Sequence, residues 1–230
     1  MKPLTLEGLL RIAAFAACAM VAGMFALFVA TGVGQDPLQF MHPPDAYVAL
    51  LLKDPPMLRL CLGLDNAFIV FYSTVFVLLG ALLVKSGASR AVTVAAVGAL
   101  AATGLLDMIE NFHFMAMLQA AEQGLGVTLG EIRFQVIETL LKFHVSYLGL
   151  FLLGFVLPKR TRLERALAYA SWYVQLPVGI LIYVAPPAVA FPLVLVRFTY
   201  FVGALVALAI VYGGGAERTP IARAAQASAA

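Results

Sequence analysis

LLDMIENFHFMAML (105–118) and VIETLLKFHVSYLGLFLLG (136–154) decide how this chain is read. Both are apolar enough to belong to membrane spans. Between them they carry Asp107, Glu110, Asn111, His113, Glu138, Lys142 and His144. A charge at the centre of a bilayer costs about 2.5–3.5 kcal/mol even on the lenient insertion scale. Several such charges therefore pair with one another or line a polar site. The two stretches locate a buried polar site without naming what it acts on.

The rest of the chain agrees with a membrane setting. Of 230 residues, 63% are hydrophobic and 12% charged, against roughly 25% charged in soluble domains. The expected fold is an all-α integral membrane bundle of about six transmembrane helices. The spans fall near 8–30, 57–84, 91–118, 131–157, 165–185 and 189–212. KSGASR (85–90), EQGLGVTLG (122–130) and PKRTRLER (158–165) separate them, and Pro186-Pro187 turns the fifth into the sixth. Pro177 is expected to kink the fifth helix. Residues 12–30 are too long for the core of a signal peptide and read as the first span; cleavage after the Ala30 region is the alternative. Residues 1–214 then form one polytopic domain, and 215–230 a disordered tail.

Basic residues orient the bundle. Lys2, Arg11, Lys85, Arg90, Lys159, Arg160, Arg162, Arg165, Arg218 and Arg223 fall on one side, and Lys53, Arg59 and Arg133 on the other. The positive-inside rule makes both termini cytoplasmic and implies a multi-pass protein of the inner (cytoplasmic) cell membrane. The net charge of +3 is small and sits at span ends, which argues against nucleic acid as a partner. Membrane lipids are the expected surroundings, with a second copy of the chain or another membrane subunit as candidate partner. Cys18 and Cys61 lack a CxxC spacing and read as small buried apolar residues. The outward segment 31–56 is expected to carry an interfacial helix, started by Pro43-Pro44-Asp45 and ended by Pro55-Pro56. It could cover what lies beneath it.

Helical spacing gathers the polar residues. Asp107, Glu110, Asn111 and Phe114 share one face of the third span. Glu131, Gln135, Glu138 and Lys142 form a stripe on the fourth, while His144 points elsewhere. Asp65 and Tyr72 share a face of the second, beside Asn66 and Ser73. At ~1.5 Å per residue, Asp65, Asp107, Glu110, Glu138 and Lys142 lie roughly 10–16 Å below the outer ends of their helices. Gln175 and Arg197 reach a similar level on the fifth and sixth spans.

Four carboxylates, Asp65, Asp107, Glu110 and Glu138, outnumber the two cations Lys142 and Arg197. Such a site keeps protons on its carboxylates or takes up a cation. Glu110 and Glu138 are the acid/base candidates, with Asp107 and Lys142 as further catalytic candidates. Asp65, Asn66, Tyr72, Asn111, Gln175 and Arg197 are the candidate ligand-binding residues. Asp107, Glu110, His113 and Glu138 could form an oxygen-rich sphere for a divalent metal such as zinc, manganese or iron, although neither HExxH nor ExxH is present. The bland alternative is structural. Glu138 and Lys142 have the i, i+4 spacing of an intrahelical ion pair. Asp65 or Asp107 could clamp Arg197.

Acid, histidine and asparagine clusters near an outer face are similar to those of membrane-embedded hydrolases of the alkaline ceramidase type and of small sterol-isomerase-like proteins. The full motif of neither is present, and no residue role is carried over. Three functions remain open. The chain could bind or chemically modify a lipid or small amphiphile. It could be a proton- or cation-coupled transporter, although it has no convincing inverted repeat. It could be an accessory subunit held together by buried ion pairs.

Overall fold

The computed structural model describes residues 4–213, except for the side chains at 187, 188 and 191. Six spans close into a ring in chain order. Helix α1 (Leu6–Thr31) packs against α3 (Pro55–Lys85), α3 against α4 (Arg90–Glu122), and α4 against α5 (Leu129–Val156). The fifth span comprises α6 (Arg162–Ala170), a π segment (Ser171–Gln175) and α7 (Leu176–Val184). The sixth is α8 (Pro187–Tyr212), which returns to α1. All six are long and apolar enough to cross a membrane. Even passage number leaves both described ends at one end of the ring, where Gly213 packs on Arg11. Lys2, Arg218, Arg223 and the tail 215–230 lie outside the described residues.

Local chemistry sets the boundaries. Thr5 caps α1 by accepting from the Gly8 N–H at 3.1 Å, and Gly32, with φ 66°, ends it in the left-handed conformation that glycine adopts freely. Thr128 with Glu131 and Thr161 with Glu164 form capping boxes on α5 and α6. The fifth span is not one regular α-helix. Pro177 has no N–H to donate to the turn before it, and the chain widens into the π segment immediately upstream.

Helices α3, α4 and α5 run 31, 33 and 28 residues, or ~42–50 Å, well beyond a ~30 Å hydrocarbon core. Helix α7 is much shorter. Gly179 lies against the Tyr147 ring, so the antiparallel run brings Val184, five residues on, level with Lys142. The Tyr183 ring indeed touches Phe143 and His144. The first three turns of α5 therefore rise above the end of α7. Depths counted from each helix's own end do not share one zero, which corrects the single polar layer expected from the sequence.

The segment between α1 and α3 fills that rise. A 3-10 turn (Asp36–Gln39) and helix α2 (Pro44–Leu51) fold over the α4–α5 end of the ring. Val33, Leu38, Tyr47 and Leu51 are buried there with Leu62, Phe114 and Ile132. Helix α2 thus covers the bundle instead of lying free in the interface. At the other end, the interior is apolar, with Leu10, Leu79, Leu100, Leu153, Leu208 and Tyr212 in one core.

Candidate functional site

Beneath this cap the polar faces of α3, α4 and α5 meet. On α4 the expected face is realised: Asp107, Glu110, Asn111 and Phe114 are all buried, Glu110 completely. On α5 the buried polar residues are Gln135, Thr139, Lys142 and Ser146, spaced i, i+4, i+7, i+11. The Lys142 Nζ donates to Asp107 Oδ1 at 2.7 Å and to Glu110 Oε2. Thr139 donates to Glu110 Oε1, and Gln135 Nε2 donates to the Thr139 hydroxyl at 2.8 Å. The Tyr72 hydroxyl donates to Asp107 Oδ2 at 3.2 Å. Asn111 Nδ2 reaches Asp65 Oδ2 at 2.7 Å and Asn66 Oδ1 at 3.0 Å.

The chain of bonds continues into the cap. The Tyr47 hydroxyl lies 3.2 Å from Gln135 Oε1 and 3.0 Å from the Leu38 carbonyl. Burial pushes the Tyr47 phenol far above its ordinary range, with the Glu110 and Glu138 charges adding to the effect, so it remains a donor. Asp36 comes down from the 3-10 turn toward Arg197 and Lys142. Burial raises its carboxyl above the ordinary range, and those two cations pull against the rise. The core of the site thus sets three carboxylates, Asp65, Asp107 and Glu110, around one ammonium, with Asp36 at its rim.

Several expectations are corrected. Glu138 and Lys142 do not pair along α5. Lys142 turns inward, where α4 offers two carboxylates, and Glu138 sits at the α4–α5 edge with His113 Nδ1 at 2.7 Å from its Oε2. Arg197 clamps neither Asp65 nor Asp107. Its guanidinium carbon lies 3.8 Å from the Phe143 ring centroid. The four candidate metal ligands divide into the His113–Glu138 pair and the Asp107–Glu110 pair held by Lys142. Among the described residues, no group of three or more His, Cys, Asp or Glu side chains is placed to hold a metal ion. Gln175 is buried in the π segment, where its Oε1 has no hydrogen-bond partner, and does not join the network. Glu131 is spent on the exposed α5 capping box. His144 is exposed on the outside of α5 and bonds its own helix at the Leu140 carbonyl.

Three participants escaped the sequence reading of the site. Thr139 lies on the helical face that held Gln135 and Lys142, so periodicity could have found it. Tyr47 read as an apolar anchor, and Asp36 stands in a loop without a period to betray it.

A second feature adjoins the network. The Tyr72 ring packs edge-on against Phe68, Phe76 and Phe201. Phe76 and Phe201 also line a narrow, almost wholly apolar cleft among α3, α5, α6 and α8, with Leu150, Leu153 and Leu208. One polar pair faces it, the Ser171 and Tyr200 hydroxyls 2.8 Å apart. The Tyr72 hydroxyl is thus bonded to Asp107 while its ring packs on Phe76 and Phe201, two residues of the cleft wall. The chain matches no family model, no curated protein and no solved structure; the structure identifies it as a polytopic membrane protein with six apolar spans and a buried Asp/Glu/Lys ion-pair network.

Proposed function

We propose that this protein binds a small amphiphile within the membrane and that the ion-pair network is an acid–base element at the ligand's polar end. The observation that carries this reading is the junction at Tyr72. A narrow apolar cleft of about 20 Å³ adjoins, at one ring, a network with more carboxylates than cations; a hydrocarbon chain would enter it by spreading the leucines that line it. Three carboxylates around one ammonium hold a proton more easily than they hold three full charges in a low dielectric. A proton shared within this cluster can be passed to, or taken from, a polar group beside Tyr72. Lys142 keeps both carboxylates oriented.

The test is photolabelling in liposomes with a long-chain alcohol and a long-chain carboxylic acid, each carrying a diazirine in its chain, followed by peptide mapping. The reading expects adducts on the α5 and α8 residues that line the cleft. Adducts confined to the lipid-exposed face of α1 would overturn it.

A second reading has its own support. The network runs unbroken from Tyr72 through Asp107, Lys142, Glu110, Thr139 and Gln135 to Tyr47, so it also fastens the cap to the bundle. In that role the ion pairs fix helix packing, as an accessory membrane subunit would need.

A further inference from the structure

We propose that the ligand carries an anionic oxygen head group, held by Arg197 together with the Tyr147 and Tyr183 hydroxyls. This rests on the amphiphile reading above for the ligand's chain, but the head-group site stands on separate residues. Arg197 is 6% exposed. Among the described residues, no carboxylate comes within 4.0 Å of it. The Asp36 carboxyl, in the cap, feels the charges of both Arg197 and Lys142 and forms an ion pair with neither within 4.0 Å. The Phe143 face supports the guanidinium but cannot neutralise it. A buried guanidinium without a counter-ion is costly, and an anion would remove that cost.

The groups around Arg197 point to the same chemistry. The Tyr147 and Tyr183 rings both pack on Phe143, whose face carries the Arg197 guanidinium, so their hydroxyls stand at the same place. Both are buried, and neither has a hydrogen-bond partner of good geometry. Two phenol O–H groups and a guanidinium offer donors, which suits a carboxylate or phosphate oxygen. His144, on the exposed surface of α5, packs its ring against both tyrosines. This places the two hydroxyls one side chain in from the exposed face of α5, where an amphiphile would enter.

The recess and the cleft are in register. Tyr200 and Phe201 follow Arg197 by one helical turn, and Ala204, Leu205 and Leu208 continue the same face of α8 along the cleft. A head group at Arg197 therefore sends its chain down between α5 and α8. Simple anions share the head-group chemistry, so the experiment must separate a bound amphiphile from a free ion.

The diazirine-bearing carboxylic acid and the alcohol of the same chain length are compared on the intact protein in liposomes, with and without excess acetate or phosphate. The carboxylate probe is expected to label the Tyr200–Leu208 region about tenfold more than the alcohol, the scale of one charge-assisted hydrogen bond. Free anion should leave that labelling unchanged, and Arg197→Gln should bring the two probes level. If Arg197→Gln does not fold, Tyr147→Phe combined with Tyr183→Phe should cut the preference several-fold. Equal labelling of the cleft by both probes would overturn the head-group assignment while leaving the amphiphile reading intact. Labelling of the cleft by neither probe would overturn both. Loss of carboxylate labelling to acetate or phosphate alone would mean a free-anion site and overturn the amphiphile head group.

Discussion

Replacing Lys142 by Met should be the most damaging single change in the site. The Lys142 Nζ sits 2.7 Å from Asp107 Oδ1 and also bonds Glu110 Oε2. At an effective dielectric constant of ~20, one such contact at 2.7 Å is worth about 6 kcal/mol of attraction. Desolvation of three buried ionic groups takes back most of it, so the intact network contributes modestly to net stability. Removing the cation alone is different. Asp65, Asp107 and Glu110 are left clustered without a counter-charge, at a cost of about 3–5 kcal/mol. Adding Glu110→Gln to Lys142→Met relieves part of that repulsion. The double variant should be more stable than Lys142→Met alone by about 1–3 kcal/mol. Reversible unfolding in mixed micelles, read by circular dichroism, supplies all four corners of the cycle. Strict additivity, or a Lys142→Met cost below about 1 kcal/mol, would refute the claim that one ammonium holds the two α4 carboxylates together.

Three further outcomes follow from the cap and the packing. Asp36 has a folded pKa raised above the ordinary 3.8, so docking of the cap favours its protonated form. The stability it contributes is complete below that ordinary value and is lost as pH rises through the raised one. Hydrogen exchange across residues 33–51, corrected for intrinsic rates, should quicken from mildly acid to neutral pH, and Asp36→Asn should flatten the change. Exchange that slows as pH rises would contradict this. Tyr47→Phe leaves the Leu38 carbonyl and Gln135 Oε1 without their shared donor; it should cost about 1–3 kcal/mol and loosen the same segment in hydrogen exchange. Gly179→Ala would put a Cβ 2.2 Å from the Tyr147 ring and should destabilise by about 1–3 kcal/mol in thermal unfolding. Gly98→Ala, where a Cβ meets nothing within 4 Å, should be neutral or stabilising by up to about 1 kcal/mol.

The spans were legible because hydropathy and length respond to the same constraint, a bilayer that leaves no backbone polar group unpaired. The α4 face was legible for a similar reason: 3.6-residue periodicity put Asp107, Glu110, Asn111 and Phe114 together, and all four are buried. Pairing across helices was not legible. The i, i+4 spacing of Glu138 and Lys142 permits an intrahelical bond, but spacing is silent about a neighbour that offers a better one. Lys142 found two carboxylates on α4, and Glu138 found His113. Register was equally hidden. Nothing in the hydropathy of α7 says that it ends level with Lys142, because that offset is set by Gly179 receiving the Tyr147 ring. Asp36 lay beyond periodic reading altogether, since its position depends on how the loop folds back over α5.

If the network borders a ligand site, as proposed, and is not only a packing device, an amphiphile should be seen beside it. The decisive experiment is a crystal structure grown from a lipid mesophase doped with the long-chain carboxylic acid. An elongated density is expected along Phe201, Ala204 and Leu208, with its polar end between Arg197 and Tyr72. An empty cleft, closed by its own leucines beside an intact Asp107–Lys142–Glu110 network, would contradict it.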